Sequence, residues 1–335
     1  MRKLQFSALL GLSWLLAAAC SSTTPSATST PAAGAGAGAF SAGGSPISAG
    51  SGGSLSSPAG SAGTSAAGED SAAGGQPDLS EAGAAGAANA DEPAPDGWTL
   101  RWSDEFEGPA GQQIDTKKWK YSVGPANVNS ELEYYTDRLE NSALDGQGHL
   151  LITARKEAYK GRNYTSAKFT SAGLFQVKYG RLEARIQLPA GKGLWPAFWA
   201  LGTNINSVGW PSCGEIDIME TMGSQLSINR GSLHGPGYSG GNPLTAQYHL
   251  PAGPDFSQAF HVFAAEWEEN VVRFYVDNQL YETRTPKDLS GKTWAYNHEF
   301  YMIMNVAVGG QFPGPPDDSI FPRTELIDYV RVYSR

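Results

Sequence analysis

From Arg181 to Leu188 the chain alternates without interruption, with Leu182, Ala184, Ile186 and Leu188 apolar and Arg181, Glu183, Arg185 and Gln187 polar between them. A period of two marks a strand with one face buried. Val272, Phe274 and Val276 repeat the pattern, and Asp277-Asn278 then separates two strand-like runs by two turn-forming residues, which predicts a hairpin. Further strands are expected over residues 149–154, 169–177, 260–266, 300–306 and 329–333. No long amphipathic helix is written between them. The pattern predicts an all-β domain, a two-sheet β-sandwich of the jelly-roll kind.

The first part of the chain follows other rules. Met1-Arg2-Lys3 is positive, residues 6–19 are apolar, and Ala17-Ala18-Ala19 closes the run with small residues. This is a secretory signal, too short to span a bilayer as a helix. Cys20 directly after it resembles a bacterial lipobox, in which that Cys becomes the lipidated first residue, although Ala17 stands where the pattern usually has Leu. Residues 1–20 are therefore expected to be a lipoprotein-type signal peptide. The exported protein is then a lipoprotein of the outer membrane or cell surface, with ordinary cleavage and free secretion as the alternative. Residues 21–95, rich in Ser, Ala and Gly, lack the apolar side chains that offset ordering entropy and read as a disordered linker. Every Tyr, and every Trp but Trp14, follows, so residues 96–335 form one domain with a full core.

Charge and cysteine content narrow the partners. A formal net charge of −9 argues against nucleic acid and acidic polymers and leaves neutral polymers open. With Cys20 lipidated, Cys213 has no partner for a disulfide. A monomer is expected, touching membrane only through its lipid.

Chemistry concentrates in Cys213-Gly-Glu-Ile-Asp-Ile-Met-Glu220. On a regular strand Glu215 and Asp217 share a face and Glu220 points away. One extra residue inserted as a β-bulge between Asp217 and Glu220 returns the second Glu to the face of the first. The two Glu then stand about 13 Å apart at Cα, and side chains leaning toward each other leave about 5 to 6 Å between carboxyls, a retaining glycosidase separation. Mutual repulsion, with Asp217 between them, is expected to raise at least one pKa, giving one acid and one ionised nucleophile. Trp195, Trp199 and Trp210 lie within thirty residues. Packed in a core they would be unremarked, but beside a cluster of acids they suggest a groove that stacks on sugar faces.

GEIDIME, with WPAFWALG before it, HGPGYSG after it, EWE at Glu266 to Glu268, NVAVGG and a terminal DYVRVY, closely resembles glycoside hydrolase family 16, the laminarinase-like endo-β-1,3-glucanases. The likeness spans about residues 97–335, and the six-residue bulged form of the motif is the laminarinase type. It implies a curved jelly roll with a concave substrate cleft, Glu215 as nucleophile, Asp217 as the residue that orients it, and Glu220 as general acid/base. It further implies that Glu183 and Arg185, as E-x-R on a cleft strand, and Trp195, Trp199, Trp210 and His234 line or border the sugar subsites. Asn129 is a candidate contact, although this chain reads Asn129-Ser130-Glu131 where the family commonly shows N-N-E. Catalysis needs no cofactor. A structural Ca2+ is implied at Glu105, Gly148 and Asp328, of which only Asp328 supplies a side-chain ligand. Two other readings stand beside the glucanase: a noncatalytic β-glucan-binding protein, and a galactan hydrolase acting on agar or carrageenan.

Overall fold

The alternating stretch forms the strand Gly180–Gln187, with Leu182, Ala184 and Ile186 in the hydrophobic core. The computed structural model describes residues 94–335. The residues expected to form a signal peptide, Cys20 among them, and nearly all of those expected to form a linker lie outside the described residues.

Eleven strands form one sheet and seven the other. The seven-stranded sheet runs in the order Leu244–His249, Ile228–His234, Glu215–Glu220, Leu194–Gly202, Phe300–Val308, Lys168–Thr170 and Lys120–Tyr121, all neighbours antiparallel. The larger sheet passes through Gln279–Arg284, Val271–Val276, His261–Glu268, Gly180–Gln187, Arg323–Ser334 and Leu150–Tyr159. The jelly roll expected from the alternation is thus two sheets facing one core. Its helices, among the described residues, are the four-residue Ile205–Val208 and two short 3-10 turns.

The predicted hairpin forms as expected. Val276 pairs with Gln279, and Asp277 and Asn278 take φ of 49° and 62°, the left-handed pair that matches strand twist. The strand expected over 169–177 is shorter: it ends at Thr170, because Ser171 to Phe175 close a turn in which Phe175 N donates to Ser171 O, and Val177 returns only as an isolated bridge to Phe300. Gly173, at φ 70°, permits that turn.

Both inner faces are densely apolar. The smaller sheet sends in Phe198, Ala200, Ile216, Ile218, Met302, Met304 and Val306, and the larger sends in Phe263, Trp267, Phe274, Val330 and Val332. Each large side chain buried in this way contributes about 1.5–3 kcal/mol. One charged residue joins them. Glu325 stands opposite Ile152 on the long strand Arg323–Ser334; it is fully buried, and neither carboxylate oxygen has a hydrogen-bond partner. Burial lifts its pKa well above the ordinary glutamate value.

On the far side of the larger sheet, the polar row of Gly180–Gln187 is tied into a network rather than solvated. Arg181 Nε donates to Glu183 Oε2 at 2.7 Å and its Nη1 to Glu266 Oε1 at 3.3 Å, while Tyr329 Oη donates to Glu183 Oε1 at 2.9 Å. Arg181 is 2% exposed, so this is a buried, mutually compensated group of charges.

Candidate active site

The Glu215–Glu220 strand carries the bulge. Against Leu194–Gly202, Asp217 pairs with Trp199 and Met219 with Phe198, leaving Ile218 as the extra residue; against Ile228–His234 the register shifts between Asp217 and Glu220. Ile218 and Met219 both enter the core. Glu215, Asp217 and Glu220 therefore share the outer face of the smaller sheet. Gly231 lies across from the bulge, where an added Cβ would meet Tyr281 Oη at 2.4 Å and Phe274 Cδ1 at 2.8 Å. Tyr281 and Phe274 thus leave no room for a side chain at that position.

Each terminal carboxylate receives an indole. Trp195 Nε1 donates to Glu220 Oε1 at 3.0 Å, and Trp210 Nε1 donates to Glu215 Oε2 at 3.2 Å. Trp195 belongs to the neighbouring strand, whereas Trp210 reaches in from the loop after Ile205–Val208 and remains 47% exposed. His234 pairs with Glu215 across the strands and brings Nε2 within 3.1 Å of Asp217 Oδ2 and 3.8 Å of Glu215 Oε1. Trp199 lies beside Asp217, and its Nε1 donates to Asn305 Oδ1 at 2.9 Å.

Burial is the largest cause raising all three acids. Glu215 is pushed up to about 8, first by desolvation and then by the charge of Asp217; Glu220 is pushed up to about 8 by the same two causes in the same order; desolvation alone holds Asp217 well above its ordinary value. The sequence pointed to repulsion between carboxylates. The structure makes repulsion second to the withdrawal of water, since the acids sit on a sheet surface walled by indoles. Both glutamates are thus held toward the protonated form near neutral pH, which suits a proton donor, while the charges of His234 and Lys168 favour ionisation of Glu215.

Three residues of this face carried no functional reading in the sequence. Lys168 stands opposite Asn305, its Nζ 4.8 Å from the centroid of the Trp199 ring, and its charge acts on Glu215. It falls one residue before the strand expected to start at Phe169, and counting outward from core Phe169 would have found it. Arg230 pairs with Glu220 and shares its parity with His234; that spacing is the signal. Asn305 is the first residue of NVAVGG.

Glu183 and Arg185 require a correction. They lie on Gly180–Gln187, in the other sheet, on its outer face, and so on the opposite side of the sandwich from Glu215. Glu183 is held by Arg181 and Tyr329, and Arg185 is paired with Asp328 and lies over the Phe260 ring. Alternation tells which residues leave the core but is identical for either sheet. Asn129 has φ 53°; its side chain donates to Glu131 Oε1 at 3.1 Å, and its carbonyl accepts from Gln311 N at 2.8 Å. It adjoins the loop bearing Phe312, whose ring is 5.0 Å from that of Trp195.

The residues expected to hold Ca2+ converge on the larger sheet. Glu105 follows Asp104, which pairs with Val330, and Gly148 precedes Leu150, which pairs with Ile327, so both flank Asp328. Glu105 spends its carboxylate on Arg331, at 3.1 and 2.9 Å, leaving its carbonyl to serve. A set of main-chain carbonyls with the Asp328 carboxylate, whose Oδ2 is shared with Arg185, is the all-oxygen kind that a hard cation of the Ca2+ type takes.

Residues 128–330 match the family Glycosyl hydrolases family 16. The chain is 40% identical over 249 residues to a beta-glucanase of Rhodothermus marinus, covering 70% of this chain and 85% of that protein. It is 34% identical over 286 residues to glucan endo-1,3-beta-glucosidase A1 of Niallia circulans, covering 77% of this chain but only 41% of that longer protein. Among solved structures, the laminarinase catalytic domain from Thermotoga maritima MSB8 superposes with a TM-score of 0.67 at 48% identity, over 71% of this chain and 98% of that one.

Proposed function

Because the chain belongs to glycosyl hydrolase family 16, we propose that it is a retaining endo-hydrolase of β-1,3-glucan, with mixed-linkage β-1,3-1,4-glucan as a second substrate. One observation carries this reading: Glu215 and Glu220 share a face across the Ile218 bulge, each capped by an indole N–H. A noncatalytic binding protein has no need of that matched pair.

The protonated Glu220 donates to the glycosidic oxygen as the bond breaks, and ionised Glu215 attacks the anomeric carbon from the opposite face, forming a covalent glycosyl-enzyme. Glu220, now ionised, takes a proton from water, which displaces Glu215 and restores both carboxyls. Two inversions leave the β configuration unchanged. Asp217, beside Glu215 and within 3.1 Å of His234 Nε2, orients the nucleophile. Trp195, Trp199 and Trp210 offer apolar platforms for sugar rings. No cofactor takes part.

Proton NMR of laminarin digestion in D2O is expected to show the β-anomer of the new reducing end first, with α rising later by mutarotation. An early α signal would overturn the retaining mechanism. Laminarin, curdlan, lichenan and agarose assayed in parallel test the polymer, and preferential release of sugar from agarose would move the activity to galactans.

In this reading Ca2+ is structural, held by the carbonyls of Glu105 and Gly148 with Asp328, and takes no part in the proton transfers. The lipobox-like sequence supports export as a lipoprotein anchored through Cys20, with the Ser/Ala/Gly-rich stretch as tether. Cys20→Ser is expected to move the protein from the membrane fraction to the soluble one; membrane association that survives this change removes the anchor.

A further inference from the structure

Asp217 Oδ2 is buried and makes no hydrogen bond, and Asp217 as a whole is 3% exposed. Yet His234 Nε2 stands 3.1 Å from that oxygen and 3.8 Å from Glu215 Oε1, and one donor atom from each of the three residues lies within 4.8 Å of the others. A close approach of two carboxylates and an imidazole without hydrogen-bond alignment leaves lone pairs aimed at shared space. We propose that Glu215, Asp217 and His234 form a binding site for a divalent transition metal ion of the Zn2+ class, which occupies the floor of the cleft in competition with glucan.

The two distances from His234 suit such an ion. Bonds of about 2.0–2.2 Å to nitrogen and oxygen place the ligand atoms of a tetrahedral centre roughly 3.3–3.6 Å apart, and the two distances from Nε2 bracket that edge. Chemistry selects the class: an imidazole nitrogen is a poor ligand for Ca2+ or Mg2+ and a good one for Zn2+ or Cu2+. The site is also distinct from the oxygen-only set around Asp328. Three protein ligands leave the fourth position to water, on the side where the Glu215 side chain is still 16% exposed. Glu220 stays outside the set, with its Oε1 engaged by Trp195.

His234 Nδ1 is itself buried without a hydrogen-bond partner. No outer group fixes the ring, and sites lacking such support bind about 10–100-fold more weakly than supported ones. The ion is therefore a reversible occupant rather than a resident cofactor. By coordinating Glu215 it withdraws the lone pair that attacks sugar, so occupancy blocks turnover. The inhibitory consequence rests on the glucanase reading, whereas binding does not.

Calorimetric titration of ZnCl2 into the whole protein, without glucan, tests the binding, and Co2+ with its visible absorption tests the tetrahedral geometry. Wild type is expected to show a site that weakens by more than about 100-fold in His234→Gln, beyond what loss of an outer partner costs. Asp217→Asn, with size kept, serves as a second variant should the first misfold. Laminari-oligosaccharide should weaken apparent Zn2+ affinity, and Zn2+ should raise KM for laminarin with kcat unchanged. Zn2+ binding undiminished in both variants, or inhibition acting on kcat alone, would overturn the proposal. A protein that binds Zn2+ as described but hydrolyses no glucan would sustain the metal site and overturn the enzymatic reading instead.

Discussion

Glu220→Gln is expected to lower kcat on laminarin by about 10²–10⁴-fold, the range associated with a positioned general acid, while circular dichroism and melting stay near wild type. Glu215→Gln should lose more, because the covalent route itself disappears. Azide separates the two roles: added to Glu215→Ala it should restore turnover and yield a glycosyl azide of inverted configuration. Recovery of the β-azide would mean the roles are exchanged. Trp195→Phe is the graded companion. Its indole hydrogen bond is among the influences that lower the Glu220 pKa, so removing it lifts that value further. The alkaline limb of the pH–rate profile, set by loss of the acid's proton, should then move upward, and a limb that stays in place would separate Trp195 from the acid.

The second large effect is on stability. Glu325→Met is expected to stabilise the domain by about 2 kcal/mol, since an apolar chain of similar size replaces a buried carboxyl that has no partner. For a domain this long that is roughly 4–8 °C in Tm. The pH dependence has a definite sign. The folded pKa of Glu325 is raised, so its contribution to stability is fully present below the unfolded value of about 4.3 and declines as pH rises toward the folded value, at about 1.4 kcal/mol per unit. The advantage of Glu325→Met should therefore widen from pH 5 to pH 8. A constant difference across that range would show that the carboxyl finds solvent or a partner when folded.

Much of this architecture was legible because alternation is a local property. Leu182, Ala184 and Ile186 announced a strand and turned out to be core, and Asp277-Asn278 announced a hairpin whose backbone angles follow from those residue types. The bulge could be inferred from the spacing of Glu215, Asp217 and Glu220 alone, because a strand has only two faces. What remained hidden was relational. Nothing near Glu183 and Arg185 says which sheet their strand joins, and partner choice placed them behind the sandwich, facing Tyr329 and Asp328. Lys168 and Asn305 meet only across paired strands far apart in the chain. Glu325 ran the other way: a charged residue in DYVRVY's strand reads as surface, but its parity with Ile327 carries it inward, and pairing with Ile152 fixes it there.

The Ile218 bulge also divides the catalytic strand mechanically. Hydrogen bonding holds Glu215 and Asp217 in one phase with His234 and Ser232, and holds Glu220 in another with Arg230. The nucleophile and the proton donor thus ride on two separately clamped half-strands joined at a seam, and the seam is anchored by Ile218 and Met219 beneath the surface. The gap between the reacting carboxylates is consequently a dimension of the hydrophobic interior, set by how those two side chains seat in the core. Reaction rate and core packing are coupled through that seam, so substitutions beneath it, remote from any sugar, act as adjustments to the catalytic span.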